Sequence, residues 1–281
     1  MTMPKKVALV TGATSGLGRE TAVALAREGF DVIVHGRDAA RADEVATAVR
    51  AAGADAHVLL ADLASLAEVA RLADRVAERG ALDVLVNNAG IGGGPPPHRR
   101  RELSADGYEL RLAVNYLAPV LLSRRLVPQL AAAKPARIVN VGSVGQSEVD
   151  FADLNVERGY DGAKAYCRSK FGLAAFTFDL ADELRGVGIT VNCVHPANYM
   201  DTAQVREAGI SPWTSAASGV PPVLNLAVGA AGLETGRYFD GRSPAKAHRK
   251  AYREDVRGKL ADATAKMLAP YLDAPSGERS R

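Results

Sequence analysis

Residues 7–18 have the sequence Val-Ala-Leu-Val-Thr-Gly-Ala-Thr-Ser-Gly-Leu-Gly, in which a short apolar run leads into a glycine-rich turn. The apolar run has the length of a buried strand, and the turn precedes an amphipathic stretch of helical length. Gly12 permits a tight turn, Gly16 lets the backbone approach a pyrophosphate, and Gly18 permits close helix packing. The free amides and the dipole at a helix start attract anions. This stretch therefore predicts a dinucleotide-binding loop, although a lone glycine-rich turn can be merely a turn.

Apolar runs of strand length alternate with amphipathic stretches along most of the chain. The predicted strands are 6–11, 31–35, 57–60, 84–87, 137–141 and 190–195. The predicted helices are 18–28, 39–52, 66–79, 106–122 with a bend near Pro119 and an extension to Leu130, and 163–183. Continuous Val, Ile and Leu runs are typical of strands that helices cover on both faces. The pattern predicts an α/β fold: a single Rossmann-like domain, residues 1–281, with a doubly wound parallel sheet and helices on both faces.

Several segments show neither the apolar run of a strand nor the amphipathic pattern of a helix. The run 92–101 is rich in Gly, Pro and Arg and is predicted to be a surface loop, whose basic residues are more simply solvated than functional. Segments 146–162 and 198–222 are long loops of the kind that form lids, and we expect both to border the substrate. Tyr199, Met200 and Trp213 either line an apolar pocket or form the buried side of such a lid. The polar tail 270–281 is expected to be flexible.

Composition excludes several classes of protein. The 281 residues include 35 Lys plus Arg and 32 Asp plus Glu, for a net charge of +3. This balance argues against nucleic acid or a membrane as the main partner, and no apolar run is long enough for a membrane span. The N-terminus lacks the features of a signal peptide. Cys167 and Cys193 have no metal-ligand spacing, so we expect no metal and reduced thiols in a cytoplasmic protein. The high Ala and Arg content is typical of a GC-rich bacterial genome.

Polar residues follow three of the predicted strands. Arg37 stands near the position where an NAD site would have a carboxylate for the ribose hydroxyls. An arginine can instead form a forked pair with a 2′-phosphate, which favours NADP(H) over NAD(H) unless Arg37 pairs only with Asp38 or solvent. Asp62 and Leu63 follow the third strand, where a side chain can reach the adenine. The run 87–90, Asn-Asn-Ala-Gly, ends the fourth strand and has an ordinary turn as its simpler interpretation.

Tyr166 and Lys170 lie four residues apart in a predicted helix, so their side chains share one face. A free phenol titrates near pH ~10, and a nearby cation stabilises the phenolate and lowers that pKa. The pair therefore suits proton transfer at neutral pH. Many surface helices carry a solvated Tyr and Lys at this spacing.

Ser143 and Asn115 also have simpler interpretations when each is taken singly. Ser143 could terminate a strand, and Asn115 could hydrogen-bond backbone groups in a helix kink.

In this order the motifs resemble those of the short-chain dehydrogenases/reductases over nearly all of residues 6–200. The long interval between Ser143 and Tyr166 is similar to that in the branch containing retinol dehydrogenases, the WW-domain oxidoreductase and protochlorophyllide reductase. That branch mostly uses NADP(H) and often acts on apolar or bulky carbonyls. The resemblance also implies a homodimer or homotetramer built on the helices of Asn115 and Tyr166. The insertion before Tyr166, or the tail, could instead block that face.

The resemblance implies a role for each polar residue. Tyr166 is the general acid/base, and Lys170 lowers its pKa and binds the nicotinamide ribose. Ser143 donates to the substrate oxygen, and Asn115 holds a water that links Lys170 to solvent. The implied cofactor contacts are Gly12, Thr14, Ser15, Gly16, Leu17, Gly18, Arg37, Asp62, Leu63, Asn88, Ala89, Gly90, Tyr166, Lys170, Pro196 and Thr202. Thr202 departs from the family pattern, because it follows Pro196 one position later than usual.

The leading hypothesis is an NADP(H)-dependent oxidoreductase. It would reduce a ketone or aldehyde, or oxidise the corresponding alcohol, by hydride transfer with a small-molecule substrate. The alternative is a non-catalytic NADP(H)-binding sensor of the same fold. An extended sugar-nucleotide epimerase or dehydratase is disfavoured, because too few residues follow position 200 to build its substrate region.

Overall fold

The computed structural model describes residues 5–272. The strands in that range are β1 (Val7–Val10), β2 (Asp31–Gly36), β3 (Ala56–Leu60), β4 (Val84–Asn87), β5 (Ala136–Val141), β6 (Ile189–His195), β7 (Arg237–Asp240) and β8 (Ser243–Ala245). The α-helices are α1 (Gly16–Arg27), α2 (Ala39–Ala51), α3 (Leu66–Ala77), α4 (Leu110–Leu112), α5 (Ala118–Arg125), α6 (Val127–Ala133), α7 (Gly162–Glu183), α8 (Ala203–Glu207), α9 (Val220–Ala227) and α10 (Glu254–Leu272).

The strands form one sheet in the order β3-β2-β1-β4-β5-β6-β7-β8. All neighbours are parallel except β7 and β8, which are antiparallel. The chain order reverses between β1 and β4, and in such sheets ligands bind outside the carboxyl ends of the strands at that point. The predicted α/β class and doubly wound sheet are confirmed, with β8 as an antiparallel addition at one edge.

Helices cover both faces of the sheet, as predicted, because successive strand side chains point to opposite sides. On one face, residues such as Leu9 and Ile33 pack with α3, α5, α7 and α10. On the other face, Val10 and Val34 pack with α1, α2 and α9. The site at the carboxyl edge therefore stands on two buried apolar layers.

The helix predicted over 106–122 is wrong at its start and in its form. It begins at Leu110, and Ala113–Leu117 is a π-helical turn between α4 and α5. Pro119 lies in the first turn of α5, directly after the π-helical turn. The chain breaks instead at Leu126, before α6. Single π-turns inside helices are frequent at functional sites.

The C-terminal third holds most of the unpredicted structure. Strands β7 and β8 and helices α9 and α10 have no counterpart in the sequence-based assignment. Segment 198–222, predicted to be irregular, contains α8, a 3₁₀ turn and the start of α9. Of the tail predicted to be flexible, residues 270–272 belong to the last turn of α10, and 273–281 lie outside the described residues. Residues 146–161 form neither helix nor strand, as predicted.

Helix α10 packs across α5 and α7, on the face that the sequence associates with oligomers. The hydroxyls of Tyr116 and Thr264 are 2.7 Å apart. Arg257 donates to Asp182 Oδ2 at 2.8 Å. The segment before α10 adds a ring stack of Tyr252 on Phe178, with centroids 4.4 Å apart. The C-terminal region therefore covers much of this face within the chain itself.

A row of buried amides crosses the sheet beneath the site. Asn87 Nδ2 donates to Asn140 Oδ1 at 2.8 Å and to Ser123 Oγ at 2.9 Å. Asn140 Nδ2 donates to Thr177 Oγ1 at 2.9 Å. Buried polar groups cost stability unless they are paired. Removing one member of the row therefore leaves the polar atoms of its neighbours unpaired. The row joins β4 and β5 to α7, the helix that carries Tyr166.

We predict that Asn140→Ala lowers the free energy of unfolding by roughly 2–4 kcal/mol, because it leaves buried partners unpaired and opens a cavity. Urea unfolding followed by circular dichroism measures this loss. Glu44→Ala on the exposed side of α2 is the control and should change stability by no more than about 0.5 kcal/mol. An effect of Asn140→Ala as small as that of the control would contradict the account.

Candidate active site

Two side chains hold the glycine loop: His35 of β2 and Asn88, which follows β4. His35 Nδ1 accepts from the Gly12 N–H at 3.2 Å, so the ring proton lies on Nε2, which donates to the Ala61 carbonyl at 3.1 Å. Burial lowers the pKa of His35 to about 4, and the ring stays neutral near pH 7. Sequence reasoning missed His35. It links the start of the glycine loop to the end of β3.

Asn88 provides the second support. Its Nδ2 donates to the Thr11 carbonyl at 2.8 Å, and the Thr11 hydroxyl accepts from the N–H groups of Asn88 and Ala89, both at 3.0 Å. A Cβ on Gly18 would lie 2.2 Å from the Gly12 carbonyl oxygen and 2.4 Å from Asn88 Nδ2. Only glycine lets α1 begin this close to β4. Asn88 and Ala89, predicted as cofactor contacts, thus also fix the loop.

The start of α1 has no side-chain cap. Ser15 is the N-cap residue, but its side chain makes no capping bond, and the first turn carries no acidic residue. By contrast, side chains of Asp38, Ser65 and Asp161 cap α2, α3 and α7. The first-turn amides of a helix need partners. Gly12 and Gly16 adopt φ values of 62° and 53°, which favour glycine and fold the loop beneath these amides. The arrangement fits a bound pyrophosphate.

Arg37 and Asp62 lie together beyond the ends of β2 and β3. Arg37 Nη1 is 3.8 Å from Asp62 Oδ1, and the arginine side chain is 71% exposed. Asp38 is occupied as the N-cap of α2, accepting from the Arg41 N–H at 3.1 Å. The carboxylate near Arg37 is thus that of Asp62 and not that of Asp38, and the rest of the arginine side chain faces solvent. The role of Arg37 toward a 2′-phosphate stays a prediction.

Three predicted cofactor contacts are engaged in packing. Thr14 Cγ2 lies 2.1 Å from the position of a Cβ on Gly36, so this glycine is needed for the approach. The side chains of Leu17 and Leu63 are buried. For Leu63, this leaves the backbone at the sheet edge as the part that a cofactor can reach.

Lys170 is buried on α7, with 4% of its surface exposed. Its Nζ donates to the Val141 carbonyl at 2.8 Å and lies 5.9 Å from the centroid of the Tyr166 ring. Burial lowers the pKa of Lys170 to about 8, because desolvation disfavours the charged form. The structure thus brings Lys170 beside the Tyr166 ring and attaches it to the end of β5.

Burial raises the pKa of Tyr166 above its ordinary value, and hydrogen bonding from the Ser143 and Gln204 side chains opposes the rise only in part. Lys170, which the sequence predicts to lower this pKa, is not among the groups that do so in the structure. The ammonium is directed to the Val141 carbonyl and not to the phenol oxygen. At neutral pH the Tyr166 hydroxyl is therefore protonated, as a proton donor must be.

Ser143 follows β5 and is held through its backbone. Its carbonyl accepts from the Tyr238 hydroxyl and from Gln146 Nε2, both at 2.8 Å. Its Oγ accepts from the Gly145 N–H at 3.0 Å. A Cβ on Gly145 would lie 3.4 Å from Ser143 Oγ and 3.8 Å from Tyr166 Cε1. Gly145 thus lies against both Ser143 and Tyr166, which the structure brings together.

Asn115 lies in the π-helical turn and is fully buried. Its Oδ1 accepts from the Ile91 N–H at 2.8 Å, and its Nδ2 donates to the Ile91 carbonyl at 2.9 Å and to Ser169 Oγ at 3.0 Å. A Cβ on Gly90 would lie 3.3 Å from Asn115 Oδ1 and 3.5 Å from Lys170 Nζ. Asn115 and Lys170 therefore flank the same backbone position, and Gly90 has no side chain to separate them.

Segment 196–204 brings α8 against the glycine loop. Thr202 is the N-cap of α8, and its Cγ2 lies 3.2 Å from the position of a Cβ on Gly16. Thr202 thus lies against the glycine loop, while Pro196 packs beside Gly219. Two residues further, Gln204 lies across Gly92, with its Cγ 2.7 Å from the position of a Cβ on that glycine. No motif singled out Gln204, and its only sequence signal was its place in a predicted lid.

Among residues 5–272, no group of three or more His, Cys, Asp and Glu side chains is arranged to hold a metal ion. In the same part of the chain, none of the helices combines the length and apolar character needed to cross a membrane.

Comparison with known proteins agrees with this arrangement. Residues 6–210 match the family model described as short chain dehydrogenase. The chain is 34% identical over 297 residues to human Retinol dehydrogenase 13, a match covering 98% of this chain and 87% of that protein. It is 42% identical over 217 residues to mouse Polyprenol dehydrogenase, covering 73% of this chain and 63% of that protein.

Among solved structures, the Pseudomonas aeruginosa RhlG/NADP active-site complex superposes with a TM-score of 0.70 at 29% identity, covering 85% of this chain and 95% of that one. The structural match and the family match agree on a nicotinamide-dependent fold. The protein is an NAD(P)-dependent oxidoreductase acting on CH–OH or C=O groups, and the chain belongs to the short-chain dehydrogenase family, in its retinol dehydrogenase-like branch.

Proposed function

We propose that the protein is an NADP(H)-dependent carbonyl reductase, or alcohol dehydrogenase in reverse, with Tyr166 as general acid/base. The observation that carries the proposal is the convergence of Ser143, Tyr166 and Lys170 near the uncapped start of α1. A phosphate-binding edge and a proton donor then border one cleft. That combination is what hydride transfer to a carbonyl requires.

The glycine loop and the free amides of α1 would hold the pyrophosphate of the cofactor, and Asp62 would reach the adenosine end. Arg37 would form a forked pair with a 2′-phosphate, which favours NADP(H). Lys170 would bind the nicotinamide ribose, and Thr202 and Pro196 would border the nicotinamide. The bound nicotinamide supplies the hydride, and every proton comes from the chain or from water.

Tyr166 would give its proton to the substrate oxygen as that oxygen gains negative charge, and Ser143 would donate a hydrogen bond to the same oxygen. Asn115 would hold a water through Oδ1, which has room for a second donor, and so connect Lys170 with solvent. The raised pKa of Tyr166 keeps the acid form present at neutral pH. Reduction therefore proceeds at neutral pH, and alcohol oxidation speeds up as the pH rises.

We propose an apolar or bulky substrate. The related proteins carry retinol and polyprenol in their names, and both are apolar alcohols. In the present chain Trp213 is 71% exposed and Tyr199 is 40% exposed, with ring centroids 4.5 Å apart. Both lie on the segment that leads into and out of α8. An exposed aromatic pair beside the cleft suits an apolar chain that extends from the reacting carbon.

Two free thiols, Cys167 and Cys193, support our proposal of a cytoplasmic protein. Because α10 covers the face that would join two copies, we predict a monomer of 29.5 kDa by sedimentation equilibrium. A species of twice that mass across the working concentration range would contradict this prediction and indicate the homodimer that the family resemblance implies.

Tyr166→Phe should lower kcat for NADPH-dependent carbonyl reduction by about a hundredfold or more, because it removes the proton donor. Cofactor binding, followed by NADPH fluorescence, should stay within about threefold of the parent. Tyr108→Phe is the matched control and should keep full activity, since the Tyr108 hydroxyl contacts the Met267 carbonyl of α10, at 3.5 Å. Equal activity in Tyr166→Phe and the parent would exclude the assigned role.

Arg37→Ala should weaken NADPH binding by about tenfold or more and leave NADH binding nearly unchanged, because only NADPH carries the 2′-phosphate. Fluorescence titration of the protein with each cofactor measures this difference without turnover. Arg41→Ala, on the exposed start of α2, is the control. An equal loss of affinity for NADPH and NADH would show that Arg37 does not bind the 2′-phosphate.

A further inference from the structure

The turn that follows β5 is held by contacts from two neighbouring strands and from within itself. On the side of β6, the Gly142 N–H donates to the Val194 carbonyl at 2.8 Å. The Ser143 carbonyl accepts from Gln146 Nε2 within the turn and from the Tyr238 hydroxyl of β7, both at 2.8 Å. A carbonyl oxygen has two lone pairs, and both are used here. The peptide group after Ser143 is therefore fixed in one orientation.

Tyr238 is placed for its bond by the pairing of β7 with β6, in which it lies opposite Cys193. Its ring passes close to Gly142, because a Cβ there would lie 3.7 Å from Tyr238 Cε2 and only 2.5 Å from Cys193 Sγ. A side chain at Gly142 would displace the thiol. Only 4% of Tyr238 is exposed, so its bond to the Ser143 carbonyl is shielded from water.

Gln146 connects the turn to the segment after β8. Its Nε2 binds the Ser143 carbonyl, and its Oε1 accepts from the His248 N–H at 3.0 Å. The His248 ring packs edge-on against Phe171 of α7, with centroids 5.4 Å apart. Tyr238 and His248 both lie beyond the stretch that matches the family model. The C-terminal region of this chain therefore reaches the Ser143 backbone by two routes.

The geometry of the turn also sets the direction of the Ser143 hydroxyl. Its Oγ accepts from the Gly145 N–H at 3.0 Å. A serine hydroxyl has one O–H bond, which stays available to donate while a lone pair accepts. Because Gly145 belongs to the same turn, a shift of the Ser143 carbonyl would also move this bond. A donor stabilises a growing negative charge best when it is oriented in advance.

We propose that Tyr238 is a positioning residue for the reaction. Its hydroxyl, together with Gln146, holds the Ser143 backbone so that the serine hydroxyl is directed at the substrate oxygen. This inference rests on the proposed function, in which Ser143 donates a hydrogen bond to that oxygen. Tyr238 gives up no proton and acts only through Ser143. Strand β7, which no sequence pattern indicated, thereby supports the arrangement at the end of β5.

Tyr238→Phe tests the proposal, because it keeps the buried ring and removes only the hydroxyl. We expect kcat for NADPH-dependent carbonyl reduction to fall about fivefold to tenfold, with a smaller change in KM. Gln146→Leu should act in the same direction, since it removes the other bond to the Ser143 carbonyl. Tyr108→Phe, which alters a hydroxyl that contacts α10, is the control and should leave kcat unchanged. Full kcat in Tyr238→Phe would overturn the proposal, as would a defect confined to KM.

A double-mutant cycle with Ser143→Ala separates positioning from a general structural defect. If Tyr238 acts through the serine hydroxyl, Tyr238→Phe should lower kcat by less than about twofold once that hydroxyl is absent. A structural defect would instead lower kcat by the same factor with and without the serine hydroxyl. Equal factors in the two backgrounds would therefore overturn the proposal.

Hydrogen exchange tests the contact without cofactor or turnover. The Gly145 amide donates to Ser143 Oγ, so its exchange rate, followed by NMR, reports on the position of the serine. Its exchange should be about threefold or more faster in Tyr238→Phe and unchanged in Tyr108→Phe. Unchanged exchange in Tyr238→Phe would overturn the proposal. Faster exchange in a protein that reduces no carbonyl would support the contact and count against the proposed function instead.

Discussion

The close approach of α1 to the end of β4 is the constraint on which the rest of the structure depends. It exists because Gly18 has no Cβ to collide with the Gly12 carbonyl and Asn88. Within this contact, His35 and Asn88 use polar groups of the loop, while the first amides of α1 remain uncapped. The helix start thus offers unpaired amides at the carboxyl edge of the sheet, where we propose that the pyrophosphate binds. The same edge receives Ser143 and, through α7, the tyrosine and lysine.

Burial sets the proton chemistry of this edge more strongly than the spacing of Tyr166 and Lys170 does. Desolvation raises the pKa of the phenol and lowers that of the ammonium to about 8. In water the phenol and the ammonium have nearly equal pKa values, so burial moves the two pKa values apart and the ammonium loses its proton before the phenol does. The Ser143 and Gln204 side chains oppose the rise in the pKa of Tyr166 only in part. A tyrosine that is protonated at neutral pH suits the reductive direction.

The sequence predicted the parallel sheet, the helices on both faces and the six central strands, because continuous apolar runs and glycine-rich turns have strong local signals. It also indicated the residues that the structure gathers around Tyr166. It failed where long-range packing decides. The π-turn of Asn115 depends on a pairing with Ile91, and the helical character of residues 270–272 depends on the contact of α10 with α5 and α7. Gln204 lies across Gly92, a contact that no local pattern indicates.

Direct hydride transfer to a carbonyl carbon is the central claim, and isotope transfer tests it most directly. Protein, NADPH carrying two deuterium atoms at nicotinamide C4, and a panel of apolar ketones and aldehydes are incubated together, and the products are analysed by mass spectrometry. The account predicts an alcohol that carries one deuterium on the former carbonyl carbon. A panel that yields no alcohol, or an alcohol without deuterium at that carbon, would contradict it.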